Sequence, residues 1–220
     1  MSVTFPMPAS DFLELLPVRS IDFELPETVE MSRTEGGEVL TETTGVRLWR
    51  GEVTLGRVQR SELRAVMTLL DVMRGGEASF MAYPKKFPYP AMDPDGSGLQ
   101  GSNPTIRFLD ATDARRMALE GMPADYRLTR GDMMSFRYAS NPERVALHEM
   151  VDLTRPATGA GETASFEVRP AIRPGAVLGA AVSLIKPEMK AVILSGTLQR
   201  GRSNRFVTEG ISFQFQQSLR

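Results

Sequence analysis

The sequence predicts a mainly β protein with one amphipathic helix, on two observations. Proline and glycine punctuate the chain throughout, and the apolar stretches between them are short and alternate at period two, the mark of half-buried strands. One segment breaks this pattern: Arg60 to Arg74 contains neither Gly nor Pro, and Leu63, Val66, Met67, Leu70 and Met73 recur at helical spacings of three and four. Ser61 is the expected N-cap and the Gly75-Gly76 pair the expected left-handed stop, giving a helix over 61–74.

Around that helix the pattern predicts a strand over Arg47 to Leu55, with Trp49, Val53 and Leu55 on one face, and another over Ala78 to Tyr83 with Phe80 inward. Pro84 to Pro104 is too rich in Pro and Gly for a strand or helix interior and reads as a long surface loop. After Ile106 and Phe108, the polar stretch Ala111 to Glu120 is expected to form a short helix. Arg130-Gly131-Asp132 reads as a tight turn before a strand over Met133 to Tyr138, with further strands over 144–152, 164–170 and 180–185, together a small barrel of short strands. The end reads as a strand over Lys190 to Gln199, a Gly201 to Asn204 turn, and a strand from Arg205 to Leu219. There Ile211, Phe213 and Phe215 alternate with an uncharged polar row, Ser212, Gln214 and Gln216.

Composition removes several kinds of chemistry. With no cysteine and one histidine in 220 residues, disulfide scaffolds, thiolate metal sites, Cys nucleophiles and multi-histidine centres are excluded, so no metal and no cofactor is expected. A net charge of −1 gives no bulk field to hold nucleic acid. Charge is uneven, however: residues 1–92 carry 13 acidic and 10 basic groups, 93–179 carry 12 and 10, and 180–220 carry 2 and 6. An acidic beginning and a basic end can pair, within a subunit or between subunits. The 22 arginines against 4 lysines suit forked pairs at such contacts. No apolar run approaches the roughly 20 residues that span a bilayer, and the N-terminus lacks a signal-peptide pattern, so the expectation is a chain made in the cytosol without membrane insertion.

Individual motifs are weaker than the overall pattern. Gly96, Gly98 and Gly101 spell a dinucleotide fingerprint without the strand before it or the helix after it. Asp93, Asp95, Ser97 and Gly98 resemble the front of a calcium loop whose closing position is Pro104 instead of a glutamate. Asp132, Glu149 and Asp152 offer carboxylates for glycoside hydrolysis with no spacing that asks for it. His148 reads as a hydrogen-bonded strand side chain and not a general base. Lys85 and Lys86 amid Phe87 and Tyr89 are too few cations for a duplex and suit a protein contact.

The order of these elements carries a resemblance. A Pro-rich start, Val46 to Gly51, the helix ending in Gly75-Gly76, Ser79 to Tyr83, a barrel, and closing strands resemble the distal tail proteins of long-tailed bacteriophages. Leu128 to Phe136, Leu147 to Met150, Ala164 to Ala176 and Ser183 to Pro187 are similar to a barrel module of phage baseplate and tail-tip proteins. Gly196 to Gln199 and Gly210 to Phe215 resemble the last strands of the tube-like domain.

The resemblance implies a discontinuous tube-like β-sandwich from 1–92 and 186–220, with an inserted OB-like or galectin-like barrel over 93–185. It implies no enzyme but a virion protein of the tail tip: a ring, of six copies, joining the tail tube protein to the hub or tip protein, with DNA passing without specific binding. Ser212, Gln214, Gln216, Glu24 and Glu27 are then candidates to face the channel. Lys85, Lys86, Phe87, Tyr89, Arg200, Arg202 and Arg205 are candidates for contacts between subunits or with partners. The chain departs from larger relatives of that group in the long C-terminal extension, which counts against the expectation of a direct carbohydrate-binding or receptor-binding role. A tube or terminator subunit, or a tail-tip glycan hydrolase, are the alternative readings.

Overall fold

The computed structural model describes residues 3–43 and 45–220. Strands β1 (Val18–Glu24), β2 (Val29–Arg33), β3 (Val39–Thr43), β4 (Arg50–Leu55) and β5 (Val58–Gln59) precede the helix α1 (Arg60–Val72), which β6 (Phe80–Ala82) follows. Then come β7 (Thr105–Leu109), β8 (Arg116–Glu120), β9 (Arg127–Thr129), β10 (Met133–Tyr138), β11 (Arg144–Met150), β12 (Thr154–Pro156), β13 (Phe166–Arg169) and β14 (Val182–Ser183). The chain closes with β15 (Met189–Ile193), β16 (Gln199–Ser203) and β17 (Val207–Gln217). Among the described residues these strands make a seven-stranded sheet, a six-stranded sheet and two two-stranded ribbons, β9–β12 and β2–β3.

The seven-stranded sheet runs β1-β4-β17-β15-β6, with β5 and β16 also paired to β17. Its central strand, β17, comes from the C-terminal end and lies between β15 and β4; β4, and β1 beyond it, come from the N-terminal end. Phe213 faces Val53 across the β4–β17 ladder, and Val53 in turn faces Ile21. The row Ile211, Phe213, Phe215 is fully buried, as the alternation predicts, and shares one core with Leu63, Val66, Met67, Leu70 and Met73 of α1. Phe12 and Leu13, from the turn after a short 3₁₀ segment at Ala9–Asp11, fill the same core. Phe12 lies 4.6 Å from the ring of Phe80 and 6.1 Å from that of Phe213.

The six-stranded sheet runs β14-β10-β11-β13-β8-β7 and closes on itself. Thr105 bridges to Ala181, and the amides of Ile106 and Val182 donate to the carbonyls of Ala180 and Pro104. It is therefore a small barrel with its own core, which includes Ile106, Met117, Leu119, Leu128, Met134 and Phe166. The fold class is thus as predicted: mainly β, one α-helix among the described residues, and a small barrel.

Local expectations fail at three places, each for a physical reason. The helix expected over 111–120 is instead a turn and the strand β8. Asp110 accepts hydrogen bonds from the amides of Thr112 and Asp113, turning the chain back, and Met117, Ala118 and Leu119 are then buried between β7 and β13. Helix α1 is not capped by Ser61, which lies in its first turn. The preceding residue, Gln59, is paired with Val207, and the amide of Arg60 donates to Phe206, so a backbone carbonyl replaces the side-chain cap. Gly75 and Gly76 are not left-handed; after a last α-helical bond from Met73 to Leu69 the helix ends in tightened turns from Arg74 to Asp71 and Gly75 to Val72.

Third, the final hairpin turns later than expected. Gly201 to Ser203 belong to β16, and the reversal is at Asn204, whose Oδ1 accepts from the amides of Phe206 and Val207. The predicted strand 190–199 is interrupted between β15 and β16 by a turn in which Thr197 donates its amide and hydroxyl to Leu194.

Sheet and barrel meet at β11. Val145 and Leu147 point into the sheet's core while Ala146 and Met150 point into the barrel's. Trp49 Nε1 donates to the Leu147 carbonyl at 2.8 Å, and Gln217 Nε2 donates to that of Val145.

His148 is a hydrogen-bonded side chain of the same strand, as expected, and it is buried. Its Nδ1 lies 2.8 Å from the Pro170 carbonyl, so Nδ1–H donates and the partnerless Nε2 carries the lone pair; the ring stacks on Phe136 at 5.2 Å. Burial, aided by the nearby Arg173 charge and opposed by the Pro170 contact, pushes its pKa from 6.5 down to about 4. Between these values the unfolded chain takes up a proton that the folded chain refuses. His148's contribution to stability is therefore intact above about pH 6.5 and falls as pH drops to 4, by about 3 kcal/mol in all. Urea unfolding at pH 7 and pH 4.5 measures this, and a His148→Phe variant is expected to lose less stability over the interval than the parent.

Candidate functional site

The outer face of the seven-stranded sheet carries polar side chains in ordered cross-strand rows. Across β1, β4, β17 and β16 one row reads Ser20, Thr54, Ser212, Gln199. The next reads Asp22, Glu52, Gln214, and the third Glu24, Arg50, Gln216, then Val192 of β15. The uncharged row read along β17 is therefore present, but pairing places charged neighbours beside it. Arg50 Nε donates to Gln216 Oε1 at 3.2 Å, and Gln214 Nε2 donates to Glu52 Oε2 at 3.4 Å. With Asp22, Glu24 and Glu52 against Arg50, this stretch is net acidic. The sequence hid this because strand order, not position in the chain, sets cross-strand neighbours. Glu24 lies on this face; Glu27 lies beyond the end of β1, exposed in the connection to the β2–β3 ribbon.

Two hairpins extend from this sheet. Among the described residues the β2–β3 ribbon pairs with no other strand, and it exposes Met31 and Leu40. The β16–β17 hairpin carries Arg200, Arg202, Arg205 and the exposed Phe206. Arg200 is held by Asp71 of α1 at 2.7 Å, and the Arg205 guanidinium sits 5.6 Å over the Phe206 ring.

A scan of the chain against protein-family models finds no match, and a search of curated proteins finds no matching relative.

The other candidate contact residues lie where the loop 84–104 crosses from sheet to barrel. Lys85 turns back on its own chain, donating to the Leu13 carbonyl at 2.8 Å, and burial holds its pKa below the ordinary value. Lys86 and Phe87 are exposed, with the ammonium 5.4 Å over the ring. Tyr89 is half-buried and joins Phe87, Phe23, Trp49 and Arg130 around a cleft of about 490 Å³.

The weaker motifs resolve into structural roles. Asp93 is buried, accepting from the Gly98 amide and the Tyr126 hydroxyl, while Asp95 accepts from the amide and hydroxyl of Ser97. The two carboxylates thus fix the loop, and among the described residues no cluster of three metal-ligating side chains forms. The glycine triplet encloses a 3₁₀ turn of three residues, Ser97–Leu99, and the next element is the strand β7, so no helix N-terminus follows it to meet a pyrophosphate.

Asp132 is buried, and its carboxylate accepts from the amides of Ala91 and Thr129 and from the Thr129 hydroxyl, which pins the turn at Gly131. Burial raises its pKa in spite of those three bonds. Glu149 is paired with Arg169 at 2.7 Å. Both carboxylates are committed to holding the barrel edge.

One cluster escaped the sequence reading. Glu14 accepts from the Tyr83 hydroxyl and the Lys186 ammonium, each at 2.8 Å, where the chain leaves the barrel for β15. Lys186 and Tyr83 hold the Glu14 pKa down, while burial and Glu14 push that of Tyr83 up to about 12. The three residues are 69 and 172 positions apart from one another in the pairs concerned, so no local spacing signals them.

Proposed function

We propose that the protein is a structural component of a long bacteriophage tail, a distal tail protein whose copies form a ring. The ring, of six copies, continues the tail tube on one side, seats the hub or tip protein on the other, and leaves a channel for DNA. The observation that supports this reading most is the sheet built from both chain ends. β17 is central, with β4 beside it and β1 beyond β4, and the outward rows carry Ser212, Gln214, Gln216, Asp22, Glu24 and Glu52. DNA slides best along a wall that makes few cation–phosphate contacts, since each one adds affinity. The lone arginine in those rows, Arg50, is shared with Gln216.

In this reading the barrel is a separate closed unit carried outside the channel, joined to the sheet through β11, Trp49 and Gln217. Assembly is the test. Light scattering on the purified full chain at low ionic strength is expected to give a mass several times the 24.3 kDa of one copy. A single 24.3 kDa species at every concentration and salt overturns the proposal.

A further inference from the structure

We infer that the acidic β2–β3 ribbon of one copy seats on the basic β16–β17 hairpin of the next. This deepens the ring reading and rests on it. Among the described residues β1, which leads into the ribbon, pairs only with β4, and β16 pairs only with β17, so the two hairpins leave the sheet from opposite edges. A contact between unlike edges is head-to-tail, and such contacts close into rings.

Charge marks the two edges as complementary. Residues 27–42 contain five Glu and one Arg, whereas residues 199–207 contain three Arg and no acid. Within the ribbon Glu30 stands directly opposite Glu42, an unfavourable like-charge pair in a two-stranded ribbon that is itself marginal in water. Among the described residues no cation lies within ion-pair distance of any glutamate between positions 27 and 42.

On the other edge Arg200 is engaged by Asp71, while Glu209, opposite Arg202, is engaged by Arg57. Arg202 and Arg205 have no carboxylate at ion-pair distance among the described residues, and they are the cations free to enter between Glu30 and Glu42. Apolar surface matches as well: Met31 is 70% exposed and Leu40 51% on the ribbon, and Phe206 is 70% exposed at the tip of the hairpin. Burying these against one another removes apolar area from water on both copies.

Two double variants and their combination test the contact: Arg202→Glu with Arg205→Glu, and Glu30→Lys with Glu42→Lys. All four positions are exposed, so each variant is expected to keep the parent's circular dichroism and melting temperature. In sedimentation velocity at low salt, each double variant is expected to need at least tenfold more protein than the parent to assemble. The chain carrying all four changes restores complementarity and is expected to assemble at the parent's concentration. If the double variants assemble like the parent, the contact is overturned and the ring reading stands. If they fail and the combined chain does not recover, the contact is also overturned. A parent that remains monomeric removes both.

Discussion

Gly51→Ala is expected to cost about 3 kcal/mol of stability and to lower the melting temperature by 5 °C or more. A Cβ at this position would lie 2.1 Å from the Asp22 carbonyl oxygen and 2.4 Å from Cζ of Phe215. The first is backbone of the paired strand β1, and the second belongs to a fully buried ring that also packs on Phe23 at 5.2 Å and Phe80 at 6.0 Å. Neither can retreat without breaking the β1–β4 ladder or displacing three aromatic rings. Thermal unfolding followed by circular dichroism measures the loss. A Gly51→Ala protein within 0.5 kcal/mol of the parent, by the same small-change criterion used for surface substitutions, would mean that this packing is wrong.

Phe213→Ala is the second large effect, at about 4 kcal/mol. The ring has no exposed surface, lies 6.1 Å from Phe12, and shares its core with the inner face of α1. Its loss opens a cavity between elements from the two ends of the chain, where the central strand cannot shift without unpairing β4 and β15. Gln214→Ala, one residue along and on the outer face, is the control and is expected to change stability by less than about 0.5 kcal/mol. Equal effects at the two positions in urea unfolding would contradict the assignment of inner and outer faces.

What could be read from the sequence was the periodic part. The alternation along β17 and the three-four spacing of Leu63, Val66, Met67, Leu70 and Met73 each state which face is buried, because both patterns are local to one element. The Arg-Gly-Asp turn was legible for a similar reason, since a left-handed Gly131 is a local demand. The segment 111–120 was not, because its outcome depends on pairing with β7 and β13 on either side, and such pairing overrides local preference. The start of α1 was misjudged because Phe206, 146 positions away in the turn between β16 and β17, supplies the carbonyl that meets Arg60, work that a side-chain cap would otherwise do. The candidate surface was legible only as one strand: Asp22, Glu24, Arg50 and Glu52 join Gln214 and Gln216 through sheet order alone.

In the proposed ring, copies of this chain enclose a channel lined by the outer face of the sheet. Electron-microscope class averages of the purified protein at low ionic strength test it most directly. A ring of identical copies with an open centre, the β1-β4-β17 face turned inward and the barrels on the outside, is the predicted result. Compact single particles with no central opening, or rings in which that face is buried between copies away from the opening, would contradict it.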